Sequence, residues 1–119
     1  MFEFLAVDLG ATSGRVAIGR VSSDSIALDV VYRFLHEVIP QDDGSLIWNW
    51  DLIIAEVLTG LKKAIKTSDP ISLAVDSWAV DYGFISPAGR YLPPVHAYRD
   101  PRNEIAYQIS NYTRGVSIV

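Results

Sequence analysis

The stretch FLAVDLGATSGRVAIGRV, residues 4–21, limits the fold more than any other part of the chain. An apolar run ends on a carboxylate, Asp8, and a second run begins at Arg15. Only a short segment holding Gly10, Ala11, Thr12, Ser13 and Gly14 separates them. Two strand-like runs joined by so few residues, two of them glycine, predict an antiparallel hairpin over residues 2–9 and 15–21.

The rest of the chain supplies layers for that hairpin. SSDS at 22–25 reads as a turn, 26–38 as a long third strand and 40–45 as a loop. Within residues 47–70, Ile54, Leu58, Leu61 and Ile65 recur at helical spacing and share one face. Asn49 or Asp51 can cap that helix, and Asp69 with Pro70 ends it. Lys62, Lys63 and Lys66 lie near its C-terminal end, where the macrodipole favours cations, and read as a solvated face. Residues 71–76 read as a buried strand, 80–86 as another and SPAG at 86–89 as a turn. An irregular Pro-bearing stretch follows, with a short strand at 95–98, and Pro101 opens a last helix over 101–113. The predicted order is β-β-β-α-β-β, then a loop and a helix: an α/β domain with a mixed sheet.

Half of the 119 residues are hydrophobic, enough for the core of one modest domain. Net charge is −4 with no block of Lys and Arg, which argues against a nucleic-acid partner. The chain has no cysteine, so disulfides and thiolate metal sites are excluded. MFEFLAVDLG lacks the basic region of a signal peptide, and no run approaches the about 18 apolar residues of a membrane span. These features fit a cytoplasmic protein.

Three stretches can carry chemistry. Asp8 ends an apolar strand, and a desolvated carboxylate needs a partner; Mg²⁺ held through water is one. The loop 10–14 offers successive backbone N–H groups and two hydroxyls, and its glycines allow a phosphate to approach. An ordinary hairpin with a capping Asp is the plainer reading. AVDSWAVDYG, residues 74–83, sets Asp76 and Asp81 around Trp78. Carboxylates accept from sugar hydroxyls and an indole packs on sugar C–H faces; a turn with a core tryptophan is the alternative. In HAYRDPRN, residues 96–103, Arg99 and Asp100 make either a surface ion pair or, with Tyr98, a polar pocket. No P-loop ending, zinc spacing or strained nucleophile turn is present.

AVDLGATSGRV at 6–16, IWNWDL at 47–52, SLAVDSWAVDYGFI at 72–85 and AYRDPRN at 97–103 together resemble the FGGY family of carbohydrate kinases. Within it they are most similar to the rhamnulokinase branch. The resemblance covers nearly the whole chain. It implies a ribonuclease-H-like fold of the actin-like ATPase kind, with residues 1–119 forming part of an N-terminal kinase domain. It implies ATP and Mg²⁺ as cofactors, with Asp8 orienting the metal through water and Gly10, Ala11, Thr12, Ser13, Gly14 and Arg15 facing the phosphates. It also implies that Asp76, Trp78, Ala79, Asp81, Tyr98, Arg99 and Asp100 contact a small-molecule sugar. The implied reaction moves the γ-phosphoryl group to the 1-hydroxyl of a ketose, L-rhamnulose. Another actin-like ATPase or phosphohydrolase, or a short non-catalytic sugar-binding module, is the alternative.

Two residues depart from the pattern. Ala79 stands where the branch has Gly in TWGVD, and Asn49 stands where Asp often follows the Trp. Members of the family have several hundred residues, and the resemblance puts their catalytic base beyond residue 119. The chain therefore reads as an N-terminal fragment without the C-terminal domain and without kinase activity of its own. The closing GVSIV is no natural stop of a fold.

Overall fold

The computed structural model describes residues 1–113 and resolves into two compact units, one of residues 1–37 and 49–79, the other of residues 38–48 and 80 onward. The closing GVSIV lies outside the described residues.

The first unit is built on a four-stranded mixed sheet. Strands β1 (Phe2–Leu9), β2 (Ser13–Val21) and β3 (Ile26–Leu35) form an antiparallel meander, and β6 (Ser72–Asp76) runs parallel to β1 on its other side. The spatial order is β3-β2-β1-β6. The predicted hairpin is present, with a tighter connection: Gly10 N–H donates to Ser13 O at 2.9 Å and Leu9 pairs with Gly14. Alternation decides the buried face. Leu5, Val7 and Leu9 from β1 join Val16 and Ile18 from β2 under helix α1 (Trp50–Ala64).

Helix α1 starts as the sequence predicts. The Asn49 side chain accepts from Leu52 N–H at 3.2 Å. Its packed face differs from the predicted one. Ile53, Gly60 and Ala64 are buried, whereas Ile54, Leu58 and Ile65 are 41%, 49% and 57% exposed. Small residues explain the choice: a Cβ on Gly60 would stand 2.5 Å from Val16 Cγ2 and 2.8 Å from Tyr32 Cδ1, so the helix seats directly on the sheet there. Beside it, Tyr32 donates its hydroxyl to Glu56 at 2.5 Å and lies under Lys63 Nζ.

Further expectations are corrected. The third strand ends at Leu35, and the register steps from Val16–Tyr32 to Ala17–Val30, leaving Val31 without an opposite residue. This is a β-bulge. Strand β6 is exposed along its whole length, with Leu73 at 49% and Val75 at 60%, because α1 packs over β1, β2 and β3 and, among the described residues, not over this edge strand.

The second unit holds two small antiparallel pairs and a helix. Strand β4 (Val38–Pro40) pairs with β5 (Leu46–Trp48), and β7 (Phe84–Ile85) pairs with β8 (Tyr91–Leu92). Thus five strands precede α1, not three, and the strand expected over 80–86 shrinks to two residues. The expected strand at 95–98 is a single bridge, Ile47 to His96. The turns at 40–45 and 86–89 contain the left-handed residues Gly44 and Gly89, at φ 83° and 78°. Helix α2 (Arg102–Thr113) follows Pro101 as predicted. No helix of the described residues is long and apolar enough to cross a membrane.

Candidate functional site

The first unit gathers one group of candidate residues at the ends of β1 and β6. Asp8 and Asp76 are register partners on these parallel strands, so both carboxylates leave the sheet on the same face at its C-terminal edge. The loops that follow are tied together, since Trp78 donates its indole N–H to Gly10 O at 3.1 Å. The main chain of His36 donates to Thr12 O at 3.0 Å, and its ring stands edge-on to Trp78 with centroids 5.5 Å apart.

These bonds orient the loop. The carbonyls of Gly10, Thr12 and Ser13 all accept from within the unit. In a planar trans peptide the following N–H points the opposite way. The Ala11 N–H is therefore turned away from Trp78, while the Ser13 N–H is turned away from β3 toward the Gly10 side of the hairpin. Ala11 and Thr12 are exposed, with Asp8 and Arg15 at the two strand ends.

Two expectations change here. Asp8 is not a desolvated carboxylate: its side chain is 47% exposed and accepts from Arg15 Nη1 at 2.8 Å, its cross-strand partner. Gly14 is also required by packing, because a Cβ there would stand 2.2 Å from the Phe34 ring. Gly10 is less constrained, its nearest contact being Ser13 O at 3.3 Å. Asp76 and Ala79 are exposed, and Trp78 is half-buried.

His36 was not expected to matter. It continues an aromatic row from Tyr32 and Phe34, with centroid spacings of 6.2 and 6.1 Å. The alternation of these residues along a strand was the signal for it. The residue is 4% exposed, and burial holds its pKa below the ordinary value, against an upward pull from hydrogen bonding to the Ser13 and Gly10 backbone.

The second unit gathers the other group. Trp48 donates its indole N–H to Asp81 Oδ2 at 2.6 Å and packs on Tyr98, whose ring in turn carries the Arg99 guanidinium 5.2 Å from its centroid. Burial raises the Asp81 pKa, opposed by the Trp48 hydrogen bond. In the sequence Trp48 stands out only as part of IWNWDL; its link to a residue 33 positions away is not visible locally.

Asp100 behaves differently from its predicted neighbours. It does not pair with Arg99; its side chain is 2% exposed and accepts from Leu46 N–H at 2.8 Å and Arg102 N–H at 2.9 Å. His96 Nδ1 lies 3.2 Å away and Arg102 Nε 3.6 Å. Burial alone would raise its pKa, but these donors outweigh burial and hold it below the carboxylate norm. Asp100 thus closes the second unit around the start of α2.

The metal expectation can be tested on the donor set. Among the described residues no three His, Asp or Glu side chains converge on one point. Mg²⁺ does not need such a cage, since it keeps several waters and uses one or two carboxylates. The in-register Asp8 and Asp76 fit that requirement.

Compared with known proteins, the chain is 37% identical over 101 residues to a rhamnulokinase of Halalkalibacterium halodurans, an alignment covering 84% of this chain and 21% of that enzyme. A rhamnulokinase of Oceanobacillus iheyensis is 39% identical over 101 residues, with the same coverage of 84% and 21%. One of Lactiplantibacillus plantarum is 36% identical over 109 residues, covering 91% of this chain and 22% of the relative. The chain thus spans about a fifth of the length of these relatives. No family model matches it. In sequence, then, the chain is rhamnulokinase-like over most of its length.

Proposed function

We propose that this chain is the N-terminal part of an ATP-dependent ketose kinase that phosphorylates the 1-hydroxyl of L-rhamnulose. The observation that carries the reading is the loop between β1 and β2. Its carbonyls at Gly10, Thr12 and Ser13 are engaged inside the unit, and the peptide after Gly10 turns the Ala11 N–H outward, where it can meet a phosphate oxygen. The hydroxyls of Thr12 and Ser13 add donors, and Arg15 adds charge at the base of the loop. Bound Mg²⁺ would neutralise phosphate charge, and Asp8 with Asp76 would hold it through water. The order β3-β2-β1-β6, with only β6 parallel to β1, supports a ribonuclease-H-like domain.

For the ketose, the cluster of Asp81, Trp48, Tyr98 and Arg99 supplies a carboxylate acceptor, a cationic donor and aromatic faces. Asp76, Trp78 and Ala79 carry over from the resemblance as further sugar ligands. Asp100 acts from behind, holding the Tyr98–Arg99 segment to β5.

The test is ADP release by the complete reading frame with MgATP, with and without a panel of ketoses. Release dependent on L-rhamnulose is the expected result. Sugar-independent release would replace the kinase by a different actin-like ATPase and remove the sugar assignments.

A further inference from the structure

We infer that Arg33 is a second cationic phosphate ligand, which grips with Arg15 the terminal, doubly charged phosphoryl group of the nucleotide. The inference rests on the phosphate reading of the loop 10–14.

Arg33 and Arg15 are direct cross-strand partners on β3 and β2, two steps from the pair Ser13–Leu35 at the mouth of the hairpin. Cross-strand partners share a face, so the two arginine side chains leave the sheet on the same side. Like charges placed opposite each other weaken a sheet, and this pair is only half compensated. Asp8 bonds Arg15 at 2.8 Å, whereas among the described residues no carboxylate bonds Arg33, which is exposed. A cavity of about 290 Å³ opens at this point, lined by Ser13, Gly14, Arg15, Arg33, Phe34 and Leu35. Arg15, Arg33 and Ser13 stand at its border, beside the loop whose Ala11 N–H faces outward. Phosphate dianions match this donor set, because a guanidinium offers parallel N–H donors to two phosphate oxygens. With Asp8 balancing Arg15, Arg33 supplies the net positive charge that a phosphate needs.

The test is titration calorimetry of the 119-residue chain with inorganic tripolyphosphate, comparing wild type, R33Q, R33K, R15Q and K62Q. K62Q removes the same charge from the outer face of α1. R33Q is expected to weaken tripolyphosphate binding about five- to tenfold, R33K to recover part of the loss and K62Q to leave it unchanged. Melting curves confirm that each variant is folded. If R33Q unfolds, R33M, which keeps the apolar stem, carries the same comparison. Equal affinity of wild type and R33Q, with R15Q weakened, overturns the role of Arg33 and leaves the loop's role standing. No binding by the wild-type chain overturns the phosphate reading of the loop, and Arg33 with it.

Discussion

At the scale of single residues, two positions in the recognised motifs also hold the structure together. The Phe34 ring covers Gly14 so closely that no Cβ fits. G14A is therefore expected to lose about 1–3 kcal/mol of stability, the usual cost of overpacking. The double variant G14A/F34L should lose less than the sum of its parts, and denaturant unfolding of the four proteins measures this. Asp100 is the second case. D100A strands two main-chain donors, at Leu46 and Arg102, and is expected to cost about 1–3 kcal/mol in the same assay. Asp8, Asp76 and the small loop residues were legible in the sequence because a charge at the end of an apolar run is a local pattern. Trp48 and His36 were not, because what they touch is set by pairing between distant segments.

At the scale of elements, the hairpin and both helices were legible from alternation, capping and Pro101. The three-residue strands β4 and β5 were not, since segments so short leave no period to read. The packed face of α1 escaped for a physical reason. Counting large apolar residues points to Ile54, Leu58, Leu61 and Ile65, whereas close approach is set by Gly60 and Ala64. G60A tests this. Alanine favours a helix by about 1 kcal/mol over glycine, yet here its methyl meets Val16 and Tyr32. The expected outcome is a net loss of stability and a shifted Tyr32 aromatic resonance. A gain would show that the helix lifts off the sheet at little cost.

At the scale of the whole molecule, two bulk properties follow. Because burial depresses the His36 pKa, the unfolded chain takes up a proton that the native ring resists. This contribution leaves stability intact above about pH 6.5, the ordinary histidine value, and erodes it as pH falls from there through the lowered native value. Wild-type and H36N unfolding free energies, compared across that window, should diverge in slope, with the wild type losing more on acidification. The second property is catalytic. A chain spanning about a fifth of its relatives' length is expected to show no rhamnulose-dependent ADP release on its own, and turnover by purified 1–119 would overturn that expectation. The bulge opposite Val16 bears on how this sheet tolerates gain and loss of codons. Val31 has no opposite number on β2, so deleting its codon leaves every other β2–β3 pair intact and merely straightens the ribbon. Arg33 and Phe34 would then keep their opposite sides of the sheet, one toward solvent and one over Gly14, in a chain one residue shorter.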